Sequence, residues 1–83
     1  MYKITKRDLD ETVARINRIM GITDPKWNIV GSYVLEGAYS GWKLARIENV
    51  HGGQSDITSG YISKRELYNQ MHAFIRGLET TKA

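Results

Sequence analysis

The chain has 83 residues, 41% of them apolar and 25% charged, with one proline, no cysteine and a formal charge of +3. That leaves room for one compact domain spanning residues 1–83, and the missing cysteines exclude disulfide frameworks, zinc ribbons and thiol nucleophiles. No apolar run approaches the roughly 20 residues a bilayer-spanning helix needs, and MYKITKRDLD lacks the apolar core of a secretory signal, so a cytoplasmic protein without membrane contact is expected.

Thr5-Lys6-Arg7-Asp8 reads as a helix start, with Asp8 in the place of the usual glutamate of a capping box. Leu9, Val13, Ile16 and Met20 follow at four, three and four residues, which is one helical face, and Gly21 closes the helix. Asp24-Pro25 marks a turn. Three runs with strand character then span 31–39, 41–50 and 54–62. Tyr39-Ser40 before Gly41 predicts one hairpin, and His51-Gly52-Gly53 a second. In the middle run Trp42 and Leu44 share one face while Ala45 and Ile47 share the other, which predicts a bulge or a strong twist near Leu44.

Ser63-Lys64-Arg65-Glu66 is a full capping box, and Leu67, Met71, Phe74 and Leu78 repeat the spacing of the first helix. Residues 80–83 are expected to fray. The expected fold is α+β: helix, three-stranded antiparallel meander, helix, with both helices on one face of the sheet. A chain this short has a small core, so a homodimer would add stability.

Catalytic signatures are missing. His51 and His72 have no metal-ligand spacing to each other or to paired carboxylates, and there is neither a nucleophile elbow nor a phosphate-binding loop motif. The expectation is no enzyme, no metal and no cofactor. Gly52-Gly53 would admit a ligand phosphate, although a hairpin turn alone also asks for glycine there.

Two binding surfaces remain. The strand region is rich in aromatics, and a sheet covered on one side leaves its other face open. Tyr39, Trp42, Lys43 and Arg46 are therefore the candidate contacts for a macromolecular partner, a protein above all. Lys6-Arg7 and Lys64-Arg65 place cations in the first turns of both helices, against the helix dipole. A bound anion would relieve that conflict, as local neutralisation by Asp8 and Glu66 also would. Lys6, Arg7, Lys64, Arg65 and His51 are accordingly the candidate contacts for nucleic acid, the alternative partner.

In element order the chain resembles a double-stranded RNA-binding domain, with Lys64 and Arg65 at the basic start of the second helix. SKREL stands where that family carries KKxAK, and HGGQ follows the second strand rather than the first. A second resemblance covers roughly the C-terminal half. The segment GAYSGWKLARIENVHGGQSD followed by SKRELYNQMHAFIRGLE is similar to small phage-encoded proteins of uncharacterised function. Gly37, Tyr39, Gly41 and Leu44 match their hairpin, Gly52-Gly53 their later turn, and Lys64 to Tyr68, Ala73 to Ile75 and Gly77-Leu78 their terminal helix; Ser40 replaces a glycine. This resemblance implies a phage or prophage protein acting in a host bacterial cell, with no assigned activity and no functional residue to carry over.

Overall fold

A computed structural model describes residues 3–58 and 60–82. The chain forms α1 (Lys6–Ile19), β1 (Tyr33–Ala38), β2 (Gly41–Ile47), β3 (Gln54–Asp56) and α2 (Lys64–Lys82). The strands form one antiparallel sheet in the order β1-β2-β3. The fold is α+β, in the expected order.

Both helix starts are built as their sequences demand. Thr5 is extended, its Oγ1 accepts the Asp8 amide at 3.2 Å, and the Asp8 carboxylate accepts the Thr5 amide at 2.8 Å. Ser63 Oγ likewise accepts the Glu66 amide at 3.2 Å and donates to the Glu66 carboxylate. At the other end of α1, Gly21 donates to Arg18 O and Ile22 to Asn17 O, the paired bonds of a Schellman cap. Met20, the last member of the expected stripe, is instead the cap residue and is exposed, so the buried apolar face of α1 ends at Ile16 with Ile19 half-buried beside it. In α2 the buried line is Leu67, Met71 and Ile75, while Phe74 and Leu78 flank it half-buried. The helix runs through Lys82, and Thr80 Oγ1 donates to Arg76 O within it; Ala83, the end of the segment expected to fray, lies outside the described residues.

The helices run side by side in the same direction. Arg15 of α1 meets Glu79 of α2 at 3.2 Å, and Lys6 and Lys64 line one groove at the opposite end. Together they cover one face of the sheet, α1 over β1 and α2 over β2. Leu9, Val13, Ile16, Leu67, Met71 and Ile75 close on Tyr33 and Leu44 to make the core, with Ile4 sealing it.

The β1–β2 register runs without interruption from Tyr33↔Arg46 to Ala38↔Gly41, so no bulge interrupts that ladder at Leu44. The irregularity sits in the third strand instead. The amides of Ile57 and Thr58 both approach the Leu44 carbonyl, at 2.9 and 3.5 Å, and Thr58 Oγ1 takes the Leu44 amide. Beyond them, among the described residues, only the Trp42↔Ile62 bridge resumes the pairing, so the expected strand over 54–62 appears there as three residues and a bridge.

The first hairpin closes where expected, at Tyr39-Ser40. Tyr39 and Ser40 themselves take the left-handed conformation, with φ of 51° and 60°, as a two-residue turn matched to the sheet twist requires. Gly41 is needed for another reason: a Cβ there would sit 3.0 Å from the Tyr61 backbone carbon. At the far end of the sheet Gly31, at φ 92°, donates to Ile47 O while Ile47 donates to Ser32 O, which is a glycine bulge.

The second face of the sheet is less open than expected. Ala45 and Ile47 point away from the helices yet carry no exposed surface. Ser32, opposite Ile47, is buried too and accepts the Lys26 amide, so the loop of residues 22–31 turns back over that end.

Candidate functional site

Strand alternation divides the four predicted partner contacts. Trp42 and Arg46 lie on the helix side of β2, and Lys43 on the other. Trp42 is half-buried against the core, its indole lying across Gly37, where a Cβ would come within 2.8 Å of the ring. Arg46 holds Glu48 through both carboxylate oxygens, at 3.1 and 2.8 Å. Hydrogen bonds from Ser55 and then Arg46 hold the Glu48 carboxyl below its ordinary range. Lys43 is enclosed by Asp56 at 2.8 Å, Glu36 at 4.0 Å and the Tyr61 ring at 4.8 Å, leaving its side chain 15% exposed. Its hydrogen bond to Asp56 raises its pKa despite partial desolvation, so it is a fixed cation that ties the sheet together. Only Tyr39 offers wide free surface. It is 91% exposed at the hairpin tip and touches Tyr61 edge-on at 5.5 Å.

The five predicted anion contacts divide as well. Lys6 and Lys64 converge on an open groove of about 540 Å³, lined also by Leu35, Gly37, Ala38, Ser40, Gly41 and Trp42. Arg7 and Arg65 are exposed in the same helical turns but do not line it, and Arg7 pairs with Glu11 at 3.1 Å. His51 lies at the other end of the sheet, in the second turn. Lys6 is held by Asp10 at 2.9 Å, whereas Lys64, half-buried, has no ion-pair partner among the described residues. The Gly52-Gly53 turn is poorly placed to receive a phosphate. The amides of His51 and Gly53 are already taken by Asn49 Oδ1 at 2.9 and 3.0 Å.

The groove lies over the β1–β2 hairpin, and its β1 residues, Leu35, Gly37 and Ala38, belong to the strand that forms the outer edge of the sheet. At its start, Asn17 of α1 occupies that edge: its Oδ1 accepts the Tyr33 amide at 2.8 Å and its Nδ2 donates to Tyr33 O at 3.0 Å.

A second surface was missed in the sequence reading. Trp27 is 64% and Val50 62% exposed, and Ile29 and Val30 are exposed beside Trp27. The two loops meet where the Trp27 ring packs on Gly52, 3.2 Å from the place a Cβ would take. The signal was the apolar run Trp27, Ile29, Val30 in a stretch with neither helical nor strand period, set between Pro25 and Gly31. Such a run has no core to enter, and clustered exposed apolar side chains mark interaction sites.

Between the helices, the His72 ring packs against Tyr68 at 4.3 Å, tilted by 53°, beside a cavity of about 290 Å³ that Asp8, Glu11, Thr12, Arg15 and Arg18 also line. Its Nε2 is buried without a hydrogen-bond partner, and burial, then Arg15 and Arg76, push its pKa down. No group of side chains among the described residues is arranged to hold a metal ion, and no helix among them is long and apolar enough to cross a membrane. Comparison with known proteins finds no matching family model, no similar curated protein and no similar solved structure.

Proposed function

We propose that this chain is a non-enzymatic binding module, a small phage-type accessory protein, whose partner is another protein engaged through the Trp27 and Val50 loops. One observation carries the reading: an indole 64% exposed and a valine 62% exposed sit on two touching loops in a chain of only 83 residues. Tryptophan at the centre of an apolar patch is the residue type that most often dominates a protein interface. Among the charges on the adjoining segments, Asp24 pairs with Lys26 at 3.1 Å and Arg46 with Glu48 at 2.8 Å. Little charge must therefore be stripped of water when the patch is covered.

The test is affinity capture from bacterial host lysate with the wild type and with Trp27→Ala/Val50→Ser. A partner held by the wild type and lost by the double variant, with thermal unfolding nearly unchanged, supports the reading. Retention of the same partner by the variant overturns it. Sedimentation of the isolated chain comes first, because self-association lost in the same variant makes the partner a second copy.

The convergence of Lys6 and Lys64 favours a second reading, in which the groove contacts nucleic acid phosphates. Such binding weakens steeply between about 50 and 200 mM salt. Covering an apolar patch leaves affinity nearly flat over the same range, so one anisotropy titration with duplex and single-stranded probes separates the two.

A further inference from the structure

At the end of the sheet away from Trp27, the β1 edge carries an inference of its own. Trp42 exchanges both backbone bonds with Ile62, at 2.8 and 2.9 Å, and Leu44 bonds Ile57 and Thr58. The N–H and C=O of both residues therefore point toward the third strand. Their register partners on β1 are Gly37 and Leu35. In an antiparallel ladder such partners turn their own N–H and C=O outward, away from β2. Tyr33 has the same parity, and there Asn17 supplies the missing strand with one donor and one acceptor. Two and four residues further on, the outward groups of Leu35 and Gly37 meet no partner among the described residues, and both residues line the groove.

We propose that the outer edge of β1 at Leu35 and Gly37 is a strand-addition site for an extended acidic peptide segment. An unpaired edge is a ready template for another strand, and main-chain bonds of this kind are how many peptide-binding domains gain affinity. Charge selects the occupant. The groove's two charged residues, Lys6 and Lys64, are both cationic; Lys6 is shared with Asp10, and Lys64 has no ion-pair partner among the described residues. Lysines beside an open edge also repel a second copy presenting the same edge. An incoming strand carrying carboxylates meets those lysines, while its alternate side chains reach the indole of Trp42 lying across Gly37. The two parallel helix N-termini add a positive potential at the same end. Nucleic acid would satisfy the lysines but leave the four backbone groups of Leu35 and Gly37 unpaired.

Amide hydrogen exchange on the ¹⁵N-labelled protein tests this. Four probes are added in turn: a blocked peptide alternating valine and glutamate, its valine–lysine counterpart, an N-methylated version of the first, and a single-stranded oligonucleotide. The valine–glutamate peptide should slow exchange at Leu35 and Gly37 about tenfold, while Val34 and Glu36, already bonded to β2, stay as they were. The lysine and N-methylated peptides should slow neither, and Lys6→Glu/Lys64→Glu should reverse the preference between the two charged peptides. No slowing by the valine–glutamate peptide at millimolar concentration overturns the proposal, as does equal slowing by the oligonucleotide. Slowing that depends on protein concentration alone overturns it in favour of a second copy. The peptide effect should persist in Trp27→Ala/Val50→Ser, so this edge and the Trp27 loops stand or fall separately.

Discussion

Asn17 and Tyr33 are joined by two hydrogen bonds, from Tyr33 N to Asn17 Oδ1 at 2.8 Å and from Asn17 Nδ2 to Tyr33 O at 3.0 Å, both buried. A side-chain amide here does what a neighbouring strand does elsewhere, and it fastens α1 to the edge of the sheet. Asn17→Ala leaves a buried N–H and a buried C=O without partners. A loss of about 2–4 kcal/mol is expected from the desolvation of those two groups, read as a lower urea midpoint. Amide exchange at Tyr33 should accelerate more than at Val34, whose bonds run to β2. A change under about 0.5 kcal/mol, the scatter of ordinary surface substitutions, would show that water replaces the clamp without penalty.

The hairpin tip holds Tyr39 and Ser40 at φ of 51° and 60°. Left-handed backbone strains a residue with a Cβ by about 1–2 kcal/mol, and glycine returns about 0.5–1 kcal/mol of that as extra freedom in the unfolded chain. Ser40→Gly should therefore raise stability by up to about 1 kcal/mol, with the Tyr39–Tyr61 contact intact. Thermal unfolding reads the sign directly. Destabilisation would mean that the Ser40 side chain supports the turn.

Much of the fold was legible because its signals are local. The capping boxes of Thr5 and Ser63 and the stripe Leu9, Val13, Ile16 are set by spacing alone, and they appear where the spacing puts them. The candidate site was less legible because its geometry depends on pairing. Tyr39, Trp42, Lys43 and Arg46 are close in sequence, but period-two alternation sends Trp42 and Arg46 to the side opposite Lys43. That split could have been read from the residue numbers. The clamp by Asn17 could not, since asparagine inside a helix carries no mark of the strand it will meet sixteen residues later. The convergence of Lys6 and Lys64 was equally hidden, because it follows from the two helices running in the same direction.

Gly41 offers a test of close packing rather than of turn geometry. A methyl group on its Cα would meet the Tyr61 backbone carbon and Cβ at 3.0 Å and the Ile62 nitrogen at 3.2 Å. Those atoms are held in place by the Trp42–Ile62 bridge, so they cannot move aside without breaking two backbone bonds. Gly41→Ala should cost about 1–3 kcal/mol, the range of overpacked sites. The loss should be accompanied by faster amide exchange at Trp42 and Ile62. Gly77→Ala is the control, since nothing lies within 4 Å of the added carbon and the residue is in α2. It should be neutral or stabilising by up to about 1 kcal/mol.

His72 makes stability depend on pH in a window separate from that of the carboxylates. Burial first, then Arg15 and Arg76, hold its pKa below the ordinary 6.5, and its Nε2 is buried with nothing to accept a proton's hydrogen bond. Asp8 and Glu11 line the adjoining cavity on the α1 side, together with Arg15 and Arg18, so the cavity's cations balance its acids. The unfolded chain takes up the proton first as pH falls, so protonation favours unfolding. The contribution is complete above 6.5 and is lost progressively as pH falls from there through the lower folded value. Glu48 acts in the same direction, but below its ordinary 4.5. The wild-type urea midpoint should therefore be lower at about pH 5.5 than at about pH 7.5, because the window lies around the histidine and above the carboxylates. His72→Phe keeps a ring against Tyr68 and removes the titration, so its midpoint should change less over the same interval. Equal pH dependence in the two proteins would show that the imidazolium is accommodated by Asp8 or Glu11 and that the seam between the helices is indifferent to its charge.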